Sequence, residues 1–120
     1  MNKSYLDNIS NLVISKSGVF KYVQIRLTCM GDKKTVVRGW ENLEYHVDVY
    51  NKFLKEEGNN LDGIDSEVIG GGRINVNKQD KKVKVYGYSV QFGICDHSYT
   101  CELIKKDFSD YSVEYENSGY

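Results

Sequence analysis

The chain has 120 residues, enough for one domain and too few for two. Its 16 basic and 17 acidic residues nearly cancel, giving a formal net charge of −1, which argues against a nucleic-acid-binding or membrane-surface protein. With 28% charged and 40% hydrophobic residues, the composition is that of an ordinary soluble globule.

The start of the chain, MNKSYLDNISNLV, lacks the basic region and continuous apolar core of a signal peptide. No stretch approaches the ~18 apolar residues that a membrane span needs. Three cysteines without an export signal indicate reduced thiols, so we expect a cytoplasmic protein. Cys95, His97 and Cys101 lie close in sequence but match no familiar zinc spacing, so the sequence predicts no metal site and no cofactor.

The first third of the chain predicts three strands. A Ser-Gly turn separates a short strand, NLVIS, from the long run VFKYVQIRLTCM. From Val23 to Cys29 every second residue is apolar, the period of a half-buried strand. Lys21 falls on the apolar side, where its ammonium either reaches back to water or points into a pocket. The turn GDKK then leads into a strand, TVVRGW, which carries Arg38.

From Asn42 to Glu57 the apolar residues recur at helical spacing. The predicted apolar stripe consists of Leu43, Val47, Tyr50 and Leu54. His46 falls with Phe53 on the flank of this stripe, between core and water. A histidine in that place is more often packing than catalyst, yet it is also the side chain best suited to proton chemistry near neutral pH. Helical spacing alone leaves both interpretations open.

The second half predicts a hairpin, a helix and a last strand. In the segment SEVIGGGRINVNKQDKKVKVYGYSV, Ile74 and Val76 face Val83 and Val85 across the turn NKQDK. The alternation of apolar and polar residues is interrupted at Gly87, which predicts a bulge or a strand end there.

The segment TCELIKKDF predicts the second helix, with Thr100 as candidate N-cap, and YSVEY predicts the closing strand. The order β-β-β-α-β-β-α-β predicts an α+β domain, in which a mixed sheet of about six strands is flanked by two α-helices.

Several familiar catalytic motifs are missing. The GGGR segment lacks the Gly-Lys-Ser/Thr ending of a P-loop, no arginine closely follows a cysteine, and no serine has a nucleophile-elbow motif. The remaining candidates are Lys21, Arg38, the GYSVQ segment and Arg73 after three glycines. Alone, GGGR is typical of a flexible turn with a solvated arginine. The functional alternative is that the glycines let the backbone approach an anion while Arg73 binds its oxygens.

Five blocks of the sequence resemble the protein-histidine phosphatase family, also called janus proteins. They are GVFKYVQIRL (18–27), VVRGWENLEYHVDVY (36–50), GGGRI (70–74), QDKKVKVYGYS (79–89) and the ending SGY. They occur in order from about residue 17 to the C-terminus, with compatible spacing. The resemblance implies an α/β sandwich with a mixed sheet and two helices, as one domain over residues 1–120. It also implies metal-independent hydrolysis of phosphohistidine in proteins, with phospholysine as a second candidate substrate.

The resemblance assigns roles to particular residues. His46 is the catalytic histidine, either a general base that activates water or a nucleophile that attacks phosphorus. The implied phosphate-binding residues are Lys21, Arg73, the backbone cradle Ser89, Val90 and Gln91, and, as a supporting member, Arg38. Gln91 stands where the family often carries a small residue, but its backbone N–H is unaffected by that change.

Two alternatives accompany this assignment. His97 matches a second recurring histidine, but no cradle residue flanks it in sequence, so we do not expect it to be the chemical residue. A non-catalytic phosphate-binding or regulatory module would keep the cations and the cradle and would need no catalytic histidine. For the phosphatase we expect phosphohistidine-containing proteins as substrates, no nucleic-acid or membrane partner, and a monomer.

Overall fold

The computed structural model describes residues 6–116, which form one six-stranded sheet and two long helices. The strands are β1 (Leu12–Ile14), β2 (Gly18–Cys29), β3 (Asp32–Gly39), β4 (Asp65–Asn77), β5 (Lys82–Tyr86) and β6 (Ser112–Tyr115). The helices are α1 (His46–Glu57), which continues into a 3-10 turn at Gly58–Asn60, and α2 (His97–Asp107). The predicted order of elements is confirmed.

The strands follow the order β1-β3-β2-β4-β5-β6 across the sheet. The outer pairs β1/β3 and β5/β6 are parallel, and the pairs between them are antiparallel, so the predicted mixed sheet is confirmed. The hairpin has the predicted register, with Ile74 opposite Val85 and Val76 opposite Val83. Strand β5 ends at Tyr86 and Gly87 follows with φ 77°, which confirms the strand end predicted there.

The two helices cover opposite faces of the sheet. Successive residues of a strand point to opposite faces, and in β2 Tyr22 belongs to the core under α2, whereas Val23 belongs to the core under α1. The prediction that β2 is half-buried is therefore wrong around its centre. Gln24, expected on the exposed side, is buried because α2 and the segment before it cover that side.

Helix α1 differs from the prediction in its start and in its buried face. It begins at His46, not Asn42, and Asn42 has the non-helical φ of 69°. Its buried residues are His46, Val49 and Phe53, whereas Leu54 is 37% exposed. The apolar stripe is thus rotated from the predicted one, and His46 lies in the buried face and not on its flank.

The N-cap of helix α2 lies four residues earlier than predicted. The Asp96 carboxylate accepts a hydrogen bond from the Ser98 N–H at 3.0 Å, so Asp96 is the N-cap. Thr100, the predicted cap, lies inside the helix and is buried. None of the helices between residues 6 and 116 has both the length and the apolar character needed to span a membrane.

Candidate active site

A cleft of about 470 Å³ opens where the start of α1, strand β2 and the loop after β5 meet. Its lining residues are Lys21, Glu44, Tyr45, His46, Ser89, Val90 and Gln91. The structure therefore brings the predicted catalytic histidine, one predicted cation and the three-residue segment to one place. These residues come from segments far apart in the chain, which sequence spacing alone did not connect.

His46 is the first residue of α1 and is only 6% exposed. Its Nε2 lies 2.9 Å from the carbonyl oxygen of Gly72. A carbonyl only accepts hydrogen bonds, so Nε2 carries the proton and donates it, which leaves Nδ1 unprotonated in the neutral ring. The backbone contact fixes both the tautomer and the orientation of the ring.

The surroundings of His46 favour its neutral form. Burial is the largest cause that lowers its pKa below histidine's ordinary value of 6.5, and the positive charges of Lys21 and Arg73 lower the pKa further. The hydrogen bond to Gly72 acts in the opposite direction and raises the pKa. Since the net shift is downward, the ring remains unprotonated at neutral pH.

Lys21 and Arg73 are direct neighbours across the β2/β4 pair. Directly opposite residues of an antiparallel pair project from the same face, so two positive charges stand side by side on the His46 face of the sheet. Like charges in this arrangement repel each other and destabilise the pair. An anion bound between or beside them would relieve that repulsion. Arg73 is half-buried. It neighbours Lys21, which lines the cleft, but Arg73 is not itself a lining residue.

The loop after β5 is held in a tight turn. The Ser89 N–H donates to the Gly93 carbonyl at 3.2 Å, and the Ser89 hydroxyl accepts from the Phe92 N–H at 3.0 Å. The Ser89 N–H is therefore already hydrogen-bonded within the turn. Of the three backbone N–H groups expected to bind phosphate, those of Val90 and Gln91 remain. Val90 and Gln91 form the exposed tip of the turn, with Val90 87% exposed. Their N–H groups make no backbone–backbone hydrogen bond within the described part of the chain.

The three glycines lie inside β4, so the interpretation of GGGR as a flexible turn is wrong. A Cβ on Gly71 would lie 2.8 Å from His46 Cδ2 and 2.7 Å from the Tyr22 carbonyl oxygen. On the next residue, Gly72, a Cβ would lie 2.7 Å from His97 Cε1. The glycines thus let two histidine rings approach the strand from opposite faces. The Gly71 N–H also donates to the Gly93 carbonyl at 3.0 Å, which ties the loop after β5 to β4.

Arg38 does not line the cleft. Its side chain is fully buried, and its Nε and Nη2 donate to the two carboxylate oxygens of Glu57 at 2.7 and 3.1 Å. The guanidinium also lies 5.2 Å from the centre of the Phe53 ring, and its Nη1 donates to the Val37 carbonyl. Arg38 therefore fixes the C-terminal end of α1 to β3 and is not placed to contact a ligand in the cleft.

His97 lies on the other face of the sheet, in a buried hydrogen-bond network. Its Nε2 donates to the Gly87 carbonyl at 2.8 Å, so its Nδ1 accepts from the Tyr22 hydroxyl at 2.5 Å. The Thr100 hydroxyl donates to the Tyr22 oxygen, and Gln24 Nε2 donates to the Thr100 oxygen. Both His97 nitrogens are engaged and the ring is fully buried. This placement agrees with a structural role for His97 and not with direct contact to substrate.

The cysteines are free thiols in this structure. Burial raises the pKa of Cys95 and of Cys101 to about 11, so both remain protonated at neutral pH. Between residues 6 and 116, no group of three or more histidine, cysteine or acidic side chains is arranged to hold a metal ion.

Sequence reasoning missed two residues of the cleft, Glu44 and Tyr45. No sequence pattern described above assigns either residue a role. The signal that could have found them is their position directly before His46, since the three residues enter the helix together.

The comparisons with known proteins agree with the resemblance seen in the sequence. The Janus/Ocnus family model matches residues 6–112. The 14 kDa phosphohistidine phosphatase of Sus scrofa is 44% identical over 122 residues, covering 96% of this chain and 95% of the relative. The 14 kDa phosphohistidine phosphatase of Homo sapiens is 40% identical over 119 residues, covering 93% and 94%.

A third relative, the sex-regulated protein janus-A of Drosophila yakuba, is 38% identical over 121 residues, covering 100% of this chain and 88% of the relative. Of the five blocks that carried the resemblance, the ending at 118–120 lies outside the described residues. The match over most of the chain shows that this protein belongs to the Janus/Ocnus family.

Proposed function

We propose that this protein is a protein-histidine phosphatase, which hydrolyses the P–N bond of phosphohistidine in proteins. The observation that carries the proposal is the state of His46. Its ring lines the cleft with Nε2 bonded to Gly72 and Nδ1 unprotonated, and burial together with nearby cations lowers its pKa. The two relatives named phosphohistidine phosphatases support the same activity for this chain.

The phosphoryl group would bind beside Lys21 and Arg73, over the exposed loop tip of Val90 and Gln91. Phosphoryl transfer needs mainly positioning and electrostatic stabilisation, which fixed cations and backbone N–H groups supply. Ser89 would contribute by holding the turn, since its own N–H and hydroxyl bond within the loop. Arg38 has no place in this binding mode, because its guanidinium is paired with Glu57.

His46 would act through Nδ1 as the general base that takes a proton from the attacking water. Direct attack on phosphorus, which would leave a transient phosphohistidine on the enzyme, uses the same nitrogen in the same unprotonated state. Both routes therefore require neutral His46. The low pKa that burial, Lys21 and Arg73 impose supplies that state at neutral pH.

We further expect the reaction to proceed without metal or cofactor, in a cytoplasmic monomer, with phospholysine as a second substrate. The P–N bond is intrinsically labile, so its hydrolysis demands less catalytic power than that of a phosphate ester. A formal net charge of −1 gives no electrostatic reason for binding nucleic acid.

The test is the release of inorganic phosphate from a phosphohistidine peptide and from a matched phosphotyrosine peptide, with all metal chelated. We predict faster turnover of the phosphohistidine peptide than of the phosphotyrosine peptide, because the P–N bond is more labile than the P–O bond of the ester. Comparable rates on both peptides would indicate a general phosphomonoesterase. Binding of the phosphohistidine peptide without turnover would instead support the non-catalytic module.

A further inference from the structure

The wall of the cleft at the start of α1 has different chemistry from the phosphate-binding wall. Glu44 and Tyr45 line it, and both side chains are exposed, Tyr45 by 59%. The same cleft is lined by Lys21 of β2, whose cross-strand neighbour on β4 is Arg73. The cleft therefore pairs a cationic wall with a wall made of a carboxylate and an aromatic ring.

Backbone hydrogen bonds hold Tyr45 in a defined position, and Glu44 directly precedes it in the chain. The Tyr45 N–H donates to Asp48 Oδ2 at 3.0 Å, and the Asp48 N–H donates to the Tyr45 carbonyl at 3.0 Å. These two bonds cap α1 and fix the segment that enters it. Among the residues that the structure describes, the Glu44 carboxylate makes no ion pair or side-chain hydrogen bond, so it is available to a ligand.

We infer that Glu44 and Tyr45 bind the imidazole ring of the substrate phosphohistidine in its protonated form. This inference rests on the proposed function and extends it to the leaving group. A phosphohistidine with a protonated ring has a negative phosphoryl group and a positive ring, which matches the two walls of the cleft. The carboxylate accepts a hydrogen bond from the ring nitrogen that carries no phosphate, and the Tyr45 ring offers an aromatic surface to the cation.

Protonation makes the substrate ring a better leaving group, an effect that neither the cations nor His46 provide. When the P–N bond breaks, its electron pair goes to the substrate ring nitrogen. A neutral ring would depart as the strongly basic imidazolate, whereas a protonated ring departs as neutral imidazole. The P–O bond forms from water, whose proton goes to Nδ1 of His46 and then to solvent. The ring keeps its own proton on the other nitrogen, so no further acid is required.

The two walls then shift two pKa values in opposite directions. Burial, and in addition the charges of Lys21 and Arg73, lower the pKa of His46, which keeps the base unprotonated. The Glu44 carboxylate raises the pKa of the bound substrate ring, which keeps the leaving group protonated. Activity is highest in the pH window between these two values, the arrangement expected for an acid and a base that act together.

The test is the pH profile of kcat on a phosphohistidine peptide, because kcat reports ionisations within the enzyme–substrate complex. We expect Glu44→Gln to move the alkaline limb down by about one pH unit, as loss of an adjacent opposite charge does. The ratio of wild-type to variant kcat then grows from near one at low pH to about tenfold above both limbs. Glu44→Asp, which keeps the charge, should retain a limb close to that of the wild type.

Glu41→Gln is the matched control, because Glu41 is an exposed carboxylate three residues earlier that does not line the cleft. Its alkaline limb should coincide with that of the wild type. Tyr45→Leu should raise KM several-fold without moving the limb, since the aromatic surface contributes binding and no charge. An unchanged KM in that variant would overturn the role of Tyr45.

An unchanged alkaline limb in Glu44→Gln, whether kcat falls uniformly or not at all, would overturn the role of Glu44. Such a result leaves the phosphatase activity itself established by wild-type turnover. Absence of wild-type turnover, in contrast, would overturn the proposed function and with it this inference.

Discussion

A small number of contacts determine the tautomer and the pKa of His46. The Gly72 carbonyl selects the tautomer, burial disfavours the cation, and two neighbouring positive charges disfavour it further. A lowered pKa means that the ring stays unprotonated at pH values below 6.5 and is protonated only in more acidic solution. Activity that requires the neutral ring should therefore persist below pH 6.5.

Lys21→Gln tests this electrostatic effect. Removal of the positive charge relieves part of the downward shift, so the pKa of His46 rises toward 6.5 and the acid limb of kcat/KM moves to higher pH. KM should also increase about tenfold or more, since a hydrogen bond to a charged phosphoryl group is lost. The comparison uses one phosphohistidine peptide, so ionisation of the free substrate affects both enzymes equally.

Lys52→Gln provides a charge-matched control, because Lys52 is paired with Glu56 on the outer surface of α1. Its acid limb and its KM should match those of the wild type. If the Lys21→Gln profile also coincided with that of the wild type, Lys21 would have neither an electrostatic nor a phosphate-binding role.

Strand β4 passes between two histidines, and only glycine permits this. His46 packs against Gly71 on one face, and His97 packs against Gly72 on the other. The Gly71 N–H also holds the loop that carries Val90 and Gln91. One short segment of strand thus sets the position of the His46 ring and of the loop at 89–91.

Gly71→Ala tests the role of the glycine strand. The new Cβ would contact backbone at Tyr22 and the His46 ring at distances that real Cβ atoms do not adopt, so the ring must move. We predict a loss of about a hundredfold in kcat/KM, as expected from a displacement of about 1 Å at a catalytic group. We also expect a loss of about 1–3 kcal/mol in the free energy of unfolding from overpacking.

Gly58→Ala is the control for that substitution. Gly58 has a helical φ of −53°, and a Cβ there would meet no atom within 4 Å. Its activity should equal that of the wild type, with stability unchanged or raised by up to about 1 kcal/mol. Wild-type kcat/KM in Gly71→Ala would show that the close contact at His46 does not position the ring.

The strands could be predicted from the sequence because apolar and polar residues alternate along them. The Ile74–Val85 and Val76–Val83 pairs follow from period-2 spacing and a short turn. The buried face of α1 could not be predicted in the same way, because Leu54 is apolar yet exposed and His46 is polar yet buried. Which face a helix buries depends on what it packs against, and that is set by the sheet.

At the scale of the whole molecule, the sheet separates two kinds of histidine. His46 lines the cleft on the α1 face. His97 belongs to a buried hydrogen-bond network with Tyr22, Thr100 and Gln24 on the α2 face. The residues alone gave no reason to place His46 beside Lys21, Arg73 and the loop at 89–91. Their meeting depends on the β2/β4 register and on long-range packing, and the family resemblance supplied that information.

Some details of the site follow neither from short-range sequence patterns nor from the family resemblance. The buried pairing of Arg38 with Glu57 and the engaged Ser89 N–H depend on side-chain and loop geometry. Short-range sequence patterns do not encode such contacts, because the partners lie on different elements or across a turn. The same applies to Glu44, whose position in the cleft follows from where α1 begins.

The most direct test of the central claim is the rate of phosphate release from a phosphohistidine peptide by wild type and by His46→Gln, measured with metal chelated. Circular dichroism and peptide binding would verify that the variant remains folded and binds the substrate. Since neutral His46 is the proposed base or nucleophile, we predict a loss of about 10²–10⁴-fold in kcat. A His46→Gln enzyme that releases phosphate at the wild-type rate would contradict the assignment of His46 as the catalytic residue.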